Sequence, residues 1–239
     1  MTRSLPYVGT ELEIFAAATR WKRYWSSFVI PFLSGDVLEV GAGMGANVSL
    51  LCRDRVRRWV SLEPDPALCR RLDTELGRLK LGARCHLVPG TLSDLPADDG
   101  FDAVLYLDVL EHIVDDGAEL SRAAVHLRPG GALVILAPAH PGLYTDFDRA
   151  IGHQRRYTKA TLLKAVPPRL GGQLLIYLDS VGLLASGANR LLLRQAMPTP
   201  RQILWWDRML VPLSRVVDPL LRFTLGKSLL GVWRKPIGE

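Results

Sequence analysis

The chain predicts an α/β fold: a mostly parallel sheet with helices on both faces, preceded by a helical cover and carrying a helical insertion near its end. Three observations support this. From Asp36 onward short apolar strands alternate with longer helical stretches, the order that gives parallel pairing through right-handed crossovers. The first strand runs straight into glycines at alternate positions, where missing Cβ atoms let the backbone turn tightly and approach a ligand. With 239 residues, 48% of them hydrophobic, the chain can bury one substantial core.

Residues 10–34 place Leu12, Phe15, Ala16, Trp21, Tyr24, Trp25 and Phe28 at mixed spacings of three and four before Pro31, which predicts an amphipathic helix with an aromatic side. Strands follow at 37–40, 59–62, 84–88, 103–107 and 132–136. Helices are expected between them at 46–53, Pro66–Leu79 and 115–127, the last closed by an Arg-Pro-Gly-Gly turn at 128–131. After Pro138 comes a polar, aromatic stretch to Tyr157, then a helix at 159–166 and strands at 173–178 and 228–235. The fifty residues between those strands are rich in Leu, Arg and Trp and are punctuated by Pro198, Pro200, Pro212 and Pro219, so helical segments are expected there. The expected organisation is a cover at 1–34, a core at 35–178 and 227–239, and an insertion at 179–226 that contributes to an acceptor site.

Composition narrows the function classes. Cys52, Cys69 and Cys85 are an odd number with no C-x-x-C pair, giving neither a disulfide framework nor a zinc site, and a reducing cytoplasm fits best. The start, MTRSLPYVGTELEIF, does not read as a signal peptide, and the apolar tract at 174–193 is broken by Asp179, Asn189 and Arg190, so no spanning helix is expected. The net charge of +6 is uneven: residues 1–150 carry −4, residues 151–239 carry +10. Such a surplus favours an anionic partner, whether a phosphate-bearing small molecule, lipid headgroups or nucleic acid, or else it is a solvated basic face.

Residues 37–45 read Val-Leu-Glu-Val-Gly-Ala-Gly-Met-Gly. A nicotinamide-binding loop usually spaces its third glycine three residues after the second; here the spacing is two. Glu63 closes the second strand, where a carboxylate can accept both hydroxyls of a ribose, and Asp94 follows the third, where it could accept a bond from an adenine amino group or simply be a solvated loop carboxylate.

Together with Leu107-Asp-Val-Leu-Glu-His112 and Leu127-Arg-Pro-Gly-Gly131, these pieces resemble the Rossmann-like S-adenosylmethionine-dependent methyltransferases over roughly residues 35–138. The resemblance implies a seven-stranded sheet with its last strand antiparallel. It places Glu39 and Gly41 at the methionine amino group, with Gly43 and Gly45 in the same loop. It further places Glu63 with Pro64 at the ribose, Thr91, Leu92 and Asp94 at the adenine, and Asp108 beside the methionine moiety.

The acceptor site is expected in the stretch 140–157, directly after the fifth strand. Its His140, Tyr144, Asp148, His153, Arg155, Arg156 and Tyr157 concentrate titratable and hydrogen-bonding groups, and adjacent arginines can grip phosphate. The stretch resembles the H-x-x-L-Y-x-x-x-D-x-x-x-G-H-x-R-R-Y segment of a bacterial methyltransferase subgroup with diverse small-molecule substrates. The alternative is that Asp148 pairs with Arg156 while His153 and Tyr157 lock the loop. Candidate proton-transfer groups are Glu111, His112, Tyr144, His153 and Tyr157; candidate acceptor contacts are His140, Tyr144, Asp148, Arg155, Arg156, Tyr157 and Trp25.

In the insertion, Ile203, Leu204, Trp205, Trp206, Met209, Leu210 and Leu213 offer apolar surface, and Arg201, Arg208, Arg215 and Arg222 recur every seven residues. This is core packing plus a basic face, a lid over an apolar acceptor, or a peripheral membrane patch.

The leading expectation is a methyltransferase acting on a small, anionic, partly apolar acceptor such as an isoprenoid diphosphate. The alternatives are O- or N-methylation of a sugar or other specialised metabolite, and a nucleic-acid or membrane-surface binding module. No motif for a flipped base is present. No metal is expected either, because no clustered carboxylates follow Asp108, and activity should persist in chelator.

Overall fold

A computed structural model describes residues 11–188 and 199–238. The expectations for residues 1–10 and for 189–198, including Pro198 and the end of the apolar tract, lie outside the described residues.

The elements run in the order α1 (Glu11–Ala16), α2 (Thr19–Val29), β1 (Gly35–Val40), α3 (Val48–Leu51), β2 (Val56–Glu63), α4 (Pro66–Leu79), β3 (Cys85–Pro89), β4 (Phe101–Leu107), α5 (Asp116–Val125) and β5 (Leu127–Pro138). There follow α6 (Asp146–Ala150), α7 (Lys159–Ala165), β6 (Gly171–Leu178), α8 (Ser180–Ala188), α9 (Pro200–Trp205), α10 (Val211–Leu220) and β7 (Ser228–Arg234). The seven strands form one sheet in the order β3-β2-β1-β4-β5-β7-β6, parallel except for β7, which pairs antiparallel with both neighbours.

Strand side chains alternate between two cores, as the two-residue period of a strand requires. Val37, Ala103, Leu105, Val134 and Leu230 face one helix layer, which holds Trp21, Trp25, Leu72 and Trp206. Leu38, Val104, Tyr106, Ile135 and Leu229 face the other, which holds Leu120, Ala123 and Leu162. Because the middles of β4 and β5 are buried on both sides, Ala103–Leu107 and Ala132–Ala137 read as apolar runs, whereas β1 carries Glu39 toward the site.

The structure corrects three element expectations. The single helix over 10–34 is broken at Ala17–Ala18. Ala18 has no capping side chain, and Asp207 supplies the cap from the insertion, accepting from Arg20 N at 3.2 Å and Trp21 N at 2.8 Å. The helix at 46–53 shrinks to α3. The Arg-Pro-Gly-Gly segment is not a turn but the start of β5. Gly130 (φ 78°) bonds to Lys235 through its amide, and the Arg128 guanidinium bridges Asp36 and Asp102.

The insertion is tied to the sheet through buried carboxylates. Asp218 accepts from Tyr24 Oη, Asp179 N and Ser180 N at 2.8–2.9 Å, and also from Ser180 Oγ. Asp179, at positive φ, accepts from Trp206 Nε1 at 2.8 Å and Ser214 Oγ at 2.7 Å. Asp218→Ala strips four donors of their acceptor in a region where water cannot replace it. Unfolding free energy should fall by about 3 kcal/mol or more, and Tm by roughly 6–12 °C, measured by thermal and denaturant unfolding.

Along α9, the π-helical turn Trp206–Leu210 and α10, the side chains of Trp205, Met209, Leu213, Val216 and Leu220 are each more than half exposed. The exposed Arg201, Arg208 and Arg215 lie on the same helical run, and the exposed Arg222 follows it. Among the described residues no helix is long and apolar enough to cross a membrane. All three cysteines are free thiols, with the sulfurs of Cys52 and Cys85 3.4 Å apart.

Candidate active site

The site lies at the carboxyl ends of β1, β2, β4 and β5, where open α/β sheets bind their ligands. The loop after β1 turns through Gly41 (φ 65°), Gly43 (φ 58°) and Gly45 (φ 80°). At Gly41 a Cβ would come within 2.7 Å of Val109 Cγ1, so neither the dihedral nor the space admits a side chain.

Glu63, at the end of β2, supports this loop. Its Oε2 accepts from Gly43 N at 2.8 Å and its Oε1 from Asp65 N at 2.9 Å. Burial raises its pKa despite both bonds. Glu39 is the more telling group, being 1% exposed. Its Oε1 accepts from Asn47 Nδ2 at 2.8 Å, whereas its Oε2 has no hydrogen-bond partner among the described residues. Burial pushes its carboxyl up to about 7, against the pull of Asn47 and Lys22. An orphaned, buried carboxylate oxygen beside a glycine cradle fits an ammonium group, which would supply the missing donor and charge.

The adenine end is less enclosed. Asp94 is exposed, and one of its oxygens accepts from Thr91 N at 2.8 Å and Thr91 Oγ1 at 2.9 Å, bonds that lower its pKa. The Leu92 side chain is core, 2% exposed, so only its backbone can face a base; Pro64 is exposed beside Glu63.

Asp108 follows β4 at positive φ (56°). The residue is exposed, while the surrounding protein pushes its carboxyl up to about 6, against the attraction of His153, Lys227 and Lys22. Lys22, on α2, donates to Ala46 O at 3.2 Å; burial lowers its pKa although Glu39 and Asp108 oppose this. Lys227 sits over the Trp206 ring at 3.9 Å, with Asp179 at 3.7 Å, and burial lowers its pKa too. Neither lysine is legible as a site residue from sequence. Lys22 is one polar position on an amphipathic helix, and Lys227 simply precedes the last strand.

The 140–157 stretch divides sharply. Arg156 makes two 2.9 Å bonds to Asp148, which is fully buried. Burial favours the acid form of Asp148, but bonds from His153 and Arg156 win and hold its pKa well below the usual carboxylate range. Arg155 pairs with Asp116 at 2.8 Å and donates to Val114 O. Tyr157, 1% exposed, donates to Asp116 Oδ2 at 2.8 Å, and Tyr144 donates to His153 O at 2.6 Å. His140 lies 3.0 Å from Gly226 O and stacks on Tyr177. Trp25 is core, 2% exposed. Of the expected acceptor contacts, Trp25 and Tyr157 are thus buried in the core, and Arg155 and Arg156 are each paired with a protein carboxylate.

His153 behaves differently. Its Nδ1 bonds Asp148 Oδ1 at 2.9 Å, which leaves Nε2 3.7 Å from Glu111 Oε1. Glu111 is 1% exposed, neither of its oxygens has a hydrogen-bond partner among the described residues, and burial raises its pKa well above the ordinary value. His112 meets His153 edge to face at 4.7 Å, and burial lowers its pKa to about 4, so it is neutral at ordinary pH. Glu111, His112 and His153 therefore converge beside Asp108.

Residues 38–135 match the family model described as methyltransferase domain. The chain is 34% identical over 109 residues to a ubiquinone biosynthesis O-methyltransferase of Bradyrhizobium sp. (strain ORS 278), an alignment covering 43% of this chain and 40% of that protein. It is 30% identical over 153 residues to a tRNA U34 carboxymethyltransferase of Shewanella amazonensis, covering 59% and 43%. The chain thus spans less than half the length of these curated relatives. Among solved structures it resembles the geranyl diphosphate C-methyltransferase of Streptomyces coelicolor A3(2), with TM-score 0.65, 14% identity and coverage of 97% and 86%. It also resembles the N-methyltransferase NodS of Bradyrhizobium japonicum WM9, with TM-score 0.59, 15% identity and coverage of 92% and 97%. Fold and matched region agree: residues 38–135 match a methyltransferase domain within a seven-stranded α/β sheet that these solved methyltransferases share.

Proposed function

We propose that the chain transfers a methyl group from S-adenosylmethionine to a nucleophilic oxygen or nitrogen of a small, partly apolar acceptor, with His153 as the general base. The observation that supports this reading most is the Asp148–His153 pair beside Asp108. A buried carboxylate fixes one imidazole nitrogen as donor and leaves the other, 3.7 Å from Glu111, to receive a proton.

When bound, the cofactor supplies an electrophilic methyl on a sulfonium, and its carbon–sulfur bond breaks as the bond to the acceptor forms. Glu39 would hold the ammonium, the Gly41–Gly45 loop would lie under the methionine moiety, and Glu63 would meet the ribose. Asp108 would face the sulfonium side. Positioning the acceptor atom in a water-poor cleft provides much of the acceleration.

Of the two acceptor classes expected from sequence, a hydroxyl- or amine-bearing metabolite is supported over an isoprenoid diphosphate. Arg155 and Arg156 are committed to Asp116 and Asp148, and holding a diphosphate would break those pairs. A labelled-methyl screen over phenolic, sugar and amine acceptors, prenyl diphosphates and tRNA tests this. Turnover confined to neutral acceptors is expected; turnover confined to a diphosphate or to tRNA overturns the assignment.

The exposed apolar row on α9 and α10, beside arginines at seven-residue spacing, supports delivery of the acceptor from an anionic bilayer surface. The protein should cosediment with phosphatidylglycerol vesicles, less so at high salt, and the double variant Trp205→Ser, Leu213→Glu should lose this binding. Equal partitioning to phosphatidylcholine vesicles, or none to either, contradicts it.

A further inference from the structure

We infer that Glu111, His112 and His153 form a binding site for a first-row divalent transition-metal ion of the zinc class. One ligand atom from each of the three lies within 4.8 Å of the other two. The sequence reading expects no metal because it looks for carboxylates after Asp108. The cluster instead combines one carboxylate with two imidazoles drawn from separate segments, the turn after β4 and the loop after α6.

Glu111 provides an observation independent of the clustering. Both of its oxygens are buried without a hydrogen-bond partner among the described residues, and both imidazoles lie on its side of the turn. A buried carboxylate without donors requires either a proton or a cation. Imidazole nitrogens and carboxylate oxygens are the donor types that a zinc-class ion takes, so the composition of the cluster fits the cation.

The outer contacts are those of a metal site. His153 Nδ1 is held by Asp148 at 2.9 Å, which fixes the tautomer with Nε2 toward Glu111, and Asp148 is itself anchored by Arg156. His112 Nδ1 lies against Gly152, the residue before His153, so the two rings are packed on one loop. Zinc bonds of about 2.0–2.1 Å require the donors to close to roughly 3.3 Å, a contraction that side-chain rotation in a loop can supply. Two imidazoles and one carboxylate leave at least one coordination position, as catalytic zinc sites do.

What the ion does there rests on the proposed methyl transfer: bound beside the acceptor atom, it would lower that atom's pKa so that its proton passes to water, His153 then serving as a ligand rather than as the base. Its presence does not rest on that reading. Cobalt(II) serves as the probe, titrated into protein stripped with chelator and dialysed. One equivalent should bind with visible d–d absorption of a low-coordinate N/O site, and zinc should displace it. Glu111→Gln and His112→Ala should each weaken cobalt binding at least about 100-fold, and Asp148→Asn roughly 10–100-fold. Arg155→Ala, outside the cluster, should leave it unchanged, and circular dichroism of each variant checks folding. Absence of a cobalt signal overturns the inference, as does stoichiometric binding unaffected by both Glu111→Gln and His112→Ala. Cobalt bound without S-adenosylhomocysteine binding would instead keep the metal site and sink the methyltransferase reading.

Discussion

Replacing Glu39 with Gln weakens S-adenosylhomocysteine binding by about 100-fold at about pH 8 and removes the loss of affinity that protonation of Glu39 causes at lower pH. The native carboxyl titrates near about 7 because burial disfavours its charge, while Asn47 satisfies only one of its oxygens. A ligand ammonium needs the carboxylate, so below that pKa binding must first expel a proton. Each pH unit then costs about 1.4 kcal/mol, or a factor of ten in Kd. The native Kd should pass through a minimum near about pH 8, rising roughly tenfold per unit below about pH 6 as Glu39 takes a proton, and rising again at higher pH as the ligand's own α-amino group loses its charge. The stability of the free protein follows the opposite sign. Its folded pKa lies above the ordinary carboxylate value, so between about 4.5 and 7 the folded state holds a proton that the unfolded state has lost, and this group's contribution to stability falls across that window. Calorimetric titration across pH, on native protein and variant, checks both the magnitude and the shape.

His153→Ala should lower kcat by about 10²–10⁴ while leaving the Kd for S-adenosylhomocysteine within about twofold. The imidazole is held by Asp148 and contacts Glu111, whereas the cofactor loop is built from β1 and β2. A variant that loses cofactor affinity and turnover together would place His153 in the cofactor site instead. His153→Gln, which can keep a bond to Asp148 but cannot carry the proton, should be nearly as inactive and more stable than the Ala variant. Restored activity in His153→Gln would make the residue a positioning group.

The cofactor end of the site is legible in the sequence because its chemistry is local. Three glycines must directly follow a strand, and Glu63 must end the next one, so the linear order preserves the geometry. At the acceptor end the position is legible but the roles are not. In 140–157 nearly every charged group has a complementary partner nearby in sequence or across the turn after β4, and which pairs close is decided by tertiary packing. Asp148 takes both Arg156 and His153 while Asp116 takes Arg155, so both arginines that suggest phosphate are paired with carboxylates and His153 gains the orientation that a base or ligand needs. Lys22, Lys227 and the Asp207 cap on α2 carry no local signal at all; Asp207 reaches its partners across 186 residues of chain. The first strands are legible as apolar runs because the sheet is covered on both faces, and the misread turn at 128–131 shows the limit of that method. Pro and Gly mark a turn by composition, but here backbone pairing with Lys235 extends β5 through them.

The most direct test of the central claim is calorimetric titration of the purified protein with S-adenosylhomocysteine at about pH 8. Saturable one-to-one binding that Glu39→Gln weakens by about 100-fold is the predicted result. No binding, or binding indifferent to Glu39, would contradict the assignment of this cleft to S-adenosylmethionine.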